Sequence, residues 1–318
     1  MAAMLLSMAR SPVPNSPALL LLGRLDGRLQ ASPAADIWLA RARITGAAEL
    51  ARLAGVPVAP EDIRDWICGR TPPPRHSEGL NDPLSVAALF HFALLAQEGT
   101  KDPVASATLK VLRTLLDDRR EAELWGSDDL VRFGPAFRET GSLLAAPYPA
   151  PSFRNVAERL LAAHGIIEAA PGDERMIATA DGRRLHLEPA RFDTVWLLAC
   201  HLPQALAAAG LTLRPLPSLA ALPRFLPGSA DALAEQLEAS AGRSAQAGLI
   251  ELDRLEKQLD RLPTRLPVTR RSKAPLLLRL DLAYPGLRVP AIARLLGISP
   301  QGAAKMARLV RGAAAVQW

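Results

Sequence analysis

Apolar residues recur along this chain at helical spacing, and Gly, Pro and capping residues interrupt them repeatedly. Four apolar residues between positions 36 and 53 fall on one stripe, namely Ile37, Ala40, Ile44 and Ala51. A stripe with this spacing is typical of an amphipathic helix. Gly55 follows it and ends the helix, and two prolines then mark a turn into the next segment.

The same combination of stripe and cap predicts several further helices. Asp82 is a suitable N-cap and Pro83 a suitable first residue for one of them, and Ser152 is a suitable cap for another. The predicted helical segments are 61–68, 84–97, 105–116, 152–164, 194–209 and 229–262. Because Ala and Leu dominate the composition while aromatic residues make up only 4%, the predicted fold class is mainly α.

One segment has the pattern of a β-hairpin. Two short runs that contain apolar residues, 175–180 and 183–187, flank the dipeptide Asp181-Gly182. Asp-Gly between such runs is a strong turn signal. We therefore expect one small hairpin and no other sheet in a helical body.

Proline-rich and basic stretches indicate the domain boundaries. Residues 1–30 contain several Pro and Ser residues and are assigned to an N-terminal arm or a short leading helix. Residues 31–262 form the helical body, with a sub-boundary near 140–151. Residues 263–275 are a basic linker that contains prolines, and residues 276–318 form a C-terminal domain.

A leucine repeat lies at the end of the predicted body. Leu252, Leu255, Leu259 and Leu262 follow 3-4-3 spacing, with charged residues between them. The repeat fits either a dimerising coiled coil or a helix pair within one chain. Fewer than three heptads are present, which favours the intramolecular pair.

Charge is distributed unevenly between the two ends of the chain. Residues 261–318 carry eleven Lys or Arg and one acidic residue, Asp281, whereas the whole chain has a net charge of +6. The tail therefore holds a charge of +10 and residues 1–260 a charge of −4. A mildly acidic body with a basic tail indicates a nucleic-acid partner rather than a metabolite.

Within this tail, residues 289–309 have the spacing of a helix-turn-helix, in which two short helices cross over an apolar face. The side chains expected on that face are Ile292, Ala293, Leu296, Ile298, Ala303 and Met306. Gly297 is placed to end the first helix with a positive φ. Ser299 is a suitable N-cap for the second helix, with Pro300 as its first residue. A plain helical hairpin shares this turn chemistry and remains the alternative.

The outer face of the second helix distinguishes the two interpretations because it lacks acidic residues. The base-reading candidates on this face are Gln301, Gly302, Lys305 and Arg308. Gln pairs with adenine in the major groove, and Lys or Arg pairs with guanine. The phosphate-contact candidates are Arg270, Arg271, Lys273, Arg294, Ser299 and Arg311, and such contacts position the protein without specifying sequence. The alternative for the Arg270–Lys273 cluster is a solvated linker.

One polar loop in the body is dense enough to form a ligand pocket. Its candidate residues are Arg75, His76, Glu78 and Asn81. A turn stabilised by its own side chains and a helix cap explains the same residues. His91, which lies beside two phenylalanines, is expected in the core or on a helix surface, and the Cys200-His201 pair lacks a nearby partner ligand.

The sequence contains no complete catalytic, phosphate-binding or metal-ligand motif. We therefore expect a protein that is not an enzyme and needs no cofactor or metal. The two cysteines, Cys68 and Cys200, are expected to be reduced and buried. The longest apolar run near the N-terminus is far shorter than a membrane span, so we expect a soluble cytoplasmic protein.

Three segments carry a resemblance to a known family. Residues 61–70, 73–83 and 85–90, together with 268–275 and the motif at 289–309, resemble a bacterial family of uncharacterised proteins. In that family a domain of unknown function is followed by a C-terminal helix-turn-helix DNA-binding domain. The resemblance covers most of residues 31–318 and implies DNA binding. Relatives usually continue into a further basic and aromatic end, whereas this chain closes at Trp318.

The N-terminal part is also distantly similar to Fic-type nucleotidyl-transferases, but their catalytic motif is missing. The segment around His76 has no closing Gly-Arg, and Leu50 follows Thr45 and Glu49 where the inhibitory helix of such enzymes has Gly or Asn. The predicted function is a transcriptional regulator that binds duplex DNA as a homodimer and responds to a small-molecule effector. The alternatives are a degenerate nucleotidyl-transferase with a DNA-binding tail and a protein-interaction module.

Overall fold

The computed structural model describes residues 16–71, 82–99, 102–117, 134–169, 175–178, 184–187, 195–262, 268–269 and 271–315. Over these ranges the protein is mainly α-helical, with twelve α-helices and one pair of short strands. The mainly α fold class predicted from the sequence is confirmed. None of the helices in these ranges combines the length and apolar character that crossing a bilayer requires.

The elements follow one another in a simple order. The helices of the first half are α1 (Pro17–Ala31), α2 (Ala35–Leu53), α3 (Pro60–Ile67), α4 (Pro83–Glu98), α5 (Pro103–Asp117), α6 (Gly134–Ala145) and α7 (Phe153–Ala169). After the strands β1 (Arg175–Ala178) and β2 (Arg184–Leu187) come α8 (Val195–Ala208), a 3₁₀ turn (Pro217–Leu219), α9 (Ala230–Asp260), α10 (Ala274–Ala283), α11 (Val289–Leu296) and α12 (Pro300–Ala315).

The two strands lie in the segments that the sequence predicted for the hairpin. They are antiparallel, with Arg175 opposite Leu187 and Ala178 opposite Arg184. This register leaves the turn at the predicted Asp181-Gly182 position, which lies outside the described residues.

Several helices begin at the capping residues expected from the sequence. The carboxylate of Asp82 accepts the backbone N–H of Ser85 at 2.8 Å, and Pro83 is the first residue of α4. The hydroxyl of Ser152 accepts the N–H of Asn155 at 3.0 Å at the start of α7. These side chains satisfy backbone donors that have no partner inside the helix.

Helix α2 lies at the centre of the fold and is buried along most of its length. It packs on α4, and a buried ion pair joins the two helices. The Arg43 guanidinium is fully buried and contacts both carboxylate oxygens of Glu98, at 2.7 and 2.9 Å. Two parallel hydrogen bonds of this kind fix the geometry as well as the charge balance.

Residues 17–30, which the sequence assigned to an N-terminal arm, instead form most of α1 and belong to the core. Leu22, Leu25 and Leu29 are at most 1% exposed, and α1 packs along α9. The prolines of the N-terminal stretch suggested an arm, but Pro17 is the first residue of α1, a position where proline is well tolerated.

The same packing identifies the role of the leucine repeat. Leu252 and Leu255 of α9 are fully buried, and Leu259 is half-buried. Within one chain, α9 contacts α1, α7 and α2. The intramolecular helix pair is therefore the alternative that the structure supports.

The last three helices, α10 to α12, are called here the C-terminal unit. Helix α10 packs on α2 and α5, α11 packs on α5, and α12 packs on α10 and α11. The buried apolar residues of this unit are continuous with those of the body. The predicted linker at 263–275 is only partly described, and the domain boundary there stays a prediction.

Candidate nucleic-acid interface

The turn between α11 and α12 has the geometry that the sequence predicted. Gly297 ends α11 in the left-handed conformation with a φ of +58°. Its N–H bonds the carbonyl of Arg294, and the N–H of Ile298 bonds the carbonyl of Ala293. This pair of hydrogen bonds is the Schellman motif, which satisfies the last carbonyls of a helix.

The second helix starts at the expected cap. The hydroxyl of Ser299 accepts the N–H of Gly302 at 3.2 Å, and Pro300 is the first residue of α12. Because Gly297 and Ser299 together fix the chain direction over three residues, α12 is held at a defined angle to α11.

The apolar side chains predicted between the two helices are in their expected places. Ile292, Leu296 and Ala303 are buried, while Ile298 and Met306 are half-buried and pack against the core. Ala293 is half-buried. One face of α12 is thereby used for packing, and the opposite face is left for solvent.

The outer face of α12 consists of Gln301, Lys305 and Arg308, which are all exposed. Gly302, the fourth base-reading candidate, is half-buried beside Ser299. Among the described residues, no carboxylate pairs with Lys305 or Arg308. Two mobile cations and an amide are therefore presented on one uncovered helical surface.

The phosphate candidates differ in how free they are. Arg271 is exposed and has no ion-pair partner in the described part of the chain, whereas Arg270 lies outside it. Ser299 is exposed, and its oxygen caps α12. The hydroxyl proton of Ser299 is not used by that cap and remains available as a donor.

Two predicted phosphate contacts also have structural partners. The ammonium of Lys273 donates to the carbonyl of Leu296 at the end of α11. The Arg311 guanidinium donates to the carbonyl of Leu287 at 2.6 Å and lies 3.8 Å from Asp281. Both side chains are exposed, but their present partners hold α11 and α12 against their neighbours.

Arg294 is engaged by the body of the protein. Its guanidinium lies 5.3 Å from the centre of the Trp66 ring, a distance at which a cation is attracted by an aromatic face. Partial burial there lowers the pKa of Arg294. Trp66 is itself buried, as expected from its helix, and it positions a charge on α11.

Arg288 is an exposed cation that the sequence reasoning missed. It is the N-cap residue of α11, and its backbone N–H bonds the carbonyl of Cys68 at 3.0 Å. Its side chain lines an open cleft of about 530 Å³ together with Gly286 and Arg311. A basic residue directly before Val289-Pro290, where a helix is expected to start, was the signal available in the sequence.

Several contacts fix the C-terminal unit to the body. The Tyr284 hydroxyl is buried and lies 2.7 Å from the hydroxyl of Thr108 on α5. Arg279 of α10 forms a two-pronged ion pair with Asp36 of α2. Arg41 of α2 donates to the carbonyls of Leu282 and Ala283 at the end of α10. The orientation of α12 is thus coupled to helices of the body.

The predicted polar pocket cannot be placed. Its residues, namely Arg75, His76, Glu78 and Asn81, lie outside the described residues. Of the pair that suggested an inhibitory helix, Thr45 bonds the carbonyl of Arg41, and Glu49 accepts from Arg52 at 2.9 Å on the same helix. These contacts are ordinary surface interactions of α2.

The remaining histidines and cysteines near the core are buried. His91 is 1% exposed, and burial together with the charge of Arg43 lowers its pKa to about 3. Burial lowers the pKa of His201 to about 4, and burial raises the pKa of the Cys200 thiol. Among the described residues, no three His, Cys, Asp or Glu side chains come together as metal ligands. Cys68 and Cys200 are free and buried, as expected.

Comparison of the chain with family models, with curated proteins and with solved structures found no match.

Proposed function

We propose that this protein is a cytoplasmic DNA-binding transcriptional regulator that places α12 in the major groove of duplex DNA. The observation that carries the proposal is the uncovered outer face of α12. Gln301, Lys305 and Arg308 are exposed there without acidic partners among the described residues. A helix of this width fits the major groove, and these side-chain types read adenine and guanine edges.

The surroundings of α12 support the same proposal. Arg271 and Arg288 add exposed cations without an acidic partner in the described ranges, and the tail as a whole has the excess positive charge given above. Cations beside a recognition helix contact phosphates and fix its register on the duplex. Because one helix pair covers only a few base pairs, we infer that two copies bind two half-sites.

Binding to duplex DNA at increasing salt tests the proposal. If about four phosphates are neutralised per half-site, the logarithm of the association constant falls with the logarithm of salt concentration with a slope of about −4. A target sequence is first selected from a random duplex library, and binding is then measured by fluorescence anisotropy. We expect Lys305→Ala/Arg308→Ala to weaken binding to the selected duplex at least tenfold.

The matched control is Arg224→Ala, which removes an exposed arginine from the loop after the 3₁₀ turn. It is expected to leave both affinity and slope unchanged. A wild-type protein without salt-dependent duplex binding contradicts the proposal. So does a double variant that binds the selected duplex as well as wild type does.

A further inference from the structure

A groove lies on the body between α2, the first turn of α3, the 3₁₀ turn and α9. It has two neighbouring compartments with volumes of about 390 and 550 Å³. Both are lined by Thr45, Pro60, Ser218 and Ser244. Each volume lies within the range of small-molecule sites in proteins.

The smaller compartment has an excess of positive charge. Three arginines and two glutamates line it, namely Arg41, Arg64, Arg254, Glu61 and Glu251. Arg64 pairs with Glu61, while Arg41 and Arg254 share Glu251. One carboxylate therefore serves two guanidinium groups, in a body whose net charge is negative. An anionic group is the partner that this arrangement lacks.

A polar atom without a partner lies in the wall of the same compartment. The Ser218 hydroxyl oxygen is buried and has no hydrogen-bond partner, although the Ser218 carbonyl accepts from Ser244. A buried hydroxyl without a partner costs free energy unless a bound molecule or water satisfies it. Its place among the arginines suits an oxygen-rich ligand.

The remaining wall of the compartment is apolar and rigid. The Trp38 ring is 3% exposed, and its Nε1–H donates to the carbonyl of Gly248 at 2.9 Å. Ile44 is also buried on this side. Apolar walls with a few convergent polar groups are the usual composition of a ligand site.

We propose that the α2–α9 groove binds a small organic anion whose carboxylate or phosphate oxygens contact Arg64 and Arg254. The ligand takes the place of water at the exposed side of these guanidinium groups and accepts the Ser218 hydroxyl proton. The 390 Å³ compartment holds the anionic group, and the neighbouring compartment holds the rest of the molecule.

Arg41 connects this site to the C-terminal unit. One end of its guanidinium pairs with Glu251 in the groove, while the other donates to the carbonyls of Leu282 and Ala283. A ligand that draws Arg254 away from Glu251 changes the balance of charge on Arg41, and so the hold on the end of α10. The ligand site stands on its own, whereas an effect on DNA binding rests on the proposed function.

Thermal melting of the full chain tests the ligand site directly. Citrate and pyrophosphate are the probes, titrated at constant ionic strength against sodium chloride. We expect a saturable rise in Tm with at least one probe, because a ligand that binds only the folded state stabilises it. The variant Arg64→Gln/Arg254→Gln is expected to weaken the apparent affinity at least tenfold, since it removes both charge-assisted contacts.

Two further variants separate a specific site from a general salt effect. Glu61→Gln removes the exposed partner of Arg64 and is expected to tighten probe binding, while Arg224→Gln is expected to change nothing. Exclusion of the salt from the protein surface would raise Tm without saturation and equally in every variant. Such a result overturns the proposal, and so does the absence of any rise.

A second measurement tests the coupling to DNA. In wild type, a saturating probe is expected to change the Kd for the selected duplex, and Arg41→Lys is expected to abolish that change while probe binding persists. If the protein binds the probe but no DNA, the ligand site holds and the proposed function fails. If it binds DNA but neither probe, the ligand site fails and the proposed function holds.

Discussion

Two histidines show how burial overrides the ordinary chemistry of a side chain. Both ring nitrogens of His91 lack a hydrogen-bond partner among the described residues, and Arg43 lies near enough to disfavour a second positive charge. His201 is also buried, with its Nε2 at 2.9 Å from the carbonyl of Phe137. Their lowered pKa values, about 3 and about 4, mean that both rings are neutral in the folded protein at neutral pH.

The buried histidines make the protein sensitive to acid. An unfolded histidine has a pKa of about 6.5, so below that pH the unfolded chain takes up protons that folded His91 refuses. The stability present above about pH 6.5 is therefore lost as the pH falls towards 3. We expect His91→Leu to reduce the loss of unfolding free energy between pH 7 and pH 5 by about 2 kcal/mol.

Urea unfolding of wild type and of the His91→Leu variant at several pH values checks this prediction. The comparison at pH 8, where unfolded histidine is neutral, gives the effect of the substitution on packing alone. Equal pH dependence of the two proteins would mean that His91 is protonated or hydrated in the folded state.

Residue types in the sequence indicated which of these side chains are buried, but not their partners. His91 lies between Phe90 and Phe92, and this favoured the core or a helix surface. The ion pair of Arg43 with Glu98 was not predicted, because its members are 55 positions apart and only the packing of α2 on α4 brings them together. A charged residue in an apolar stripe is the only local signal of such a pair.

At the scale of the element, the turn between α11 and α12 depends on one backbone conformation. Gly297 has a φ of +58°, and a Cβ at that position would meet no atom within 4 Å. Any cost of a side chain there is therefore backbone strain rather than a clash. Gly312 provides the opposite case, because it lies in the interior of α12 without a positive φ and also faces open space.

Replacing each glycine by alanine should give changes of opposite sign. Gly297→Ala is expected to lower the unfolding free energy by about 1 kcal/mol, because L-residues disfavour the left-handed region. Gly312→Ala is expected to raise it by about 0.5 to 1 kcal/mol, because alanine has the higher helix propensity. Chemical denaturation followed by circular dichroism measures both, and a stabilising Gly297→Ala would contradict the turn geometry.

This turn was predicted well because its determinants are local. Gly297, Ser299 and Pro300 each act on backbone groups within four residues, so their types are enough to place the ends of the helices. The roles of Lys273 and Arg311 were not predictable in this way. Their partners, the carbonyls of Leu296 and Leu287, lie 23 and 24 positions away, and a basic residue type alone does not distinguish a free cation from a structural one.

At the scale of the whole molecule, the charge boundary and the packing boundary do not coincide. The sequence placed a domain limit at 263–275, where prolines and basic residues gather. In the structure, Leu277 and Leu280 of α10 and Tyr284 after it are fully buried, in the same core as the residues of α2 and α5. Punctuation in a sequence locates a loop, but only long-range packing decides whether the segments on either side fold separately.

This packing predicts that the C-terminal unit does not fold alone. A fragment comprising residues 268–318 would expose the faces of α10 and α11 that α2 and α5 cover in the full chain. It would also lack Thr108, Asp36 and Arg41, the partners of Tyr284, Arg279 and the last carbonyls of α10. A fragment of about 50 residues buries too little apolar surface to offset these losses.

We expect this fragment to have low helicity without a cooperative thermal transition, and the full chain to unfold in one transition. Circular dichroism and calorimetry measure both. A fragment that folds cooperatively and binds the selected duplex with the affinity of the full chain would show that the body is not needed to orient α12. In that event the contacts of Arg41 and Arg279 would join two separately stable domains, and α12 would read DNA without regard to the state of the body.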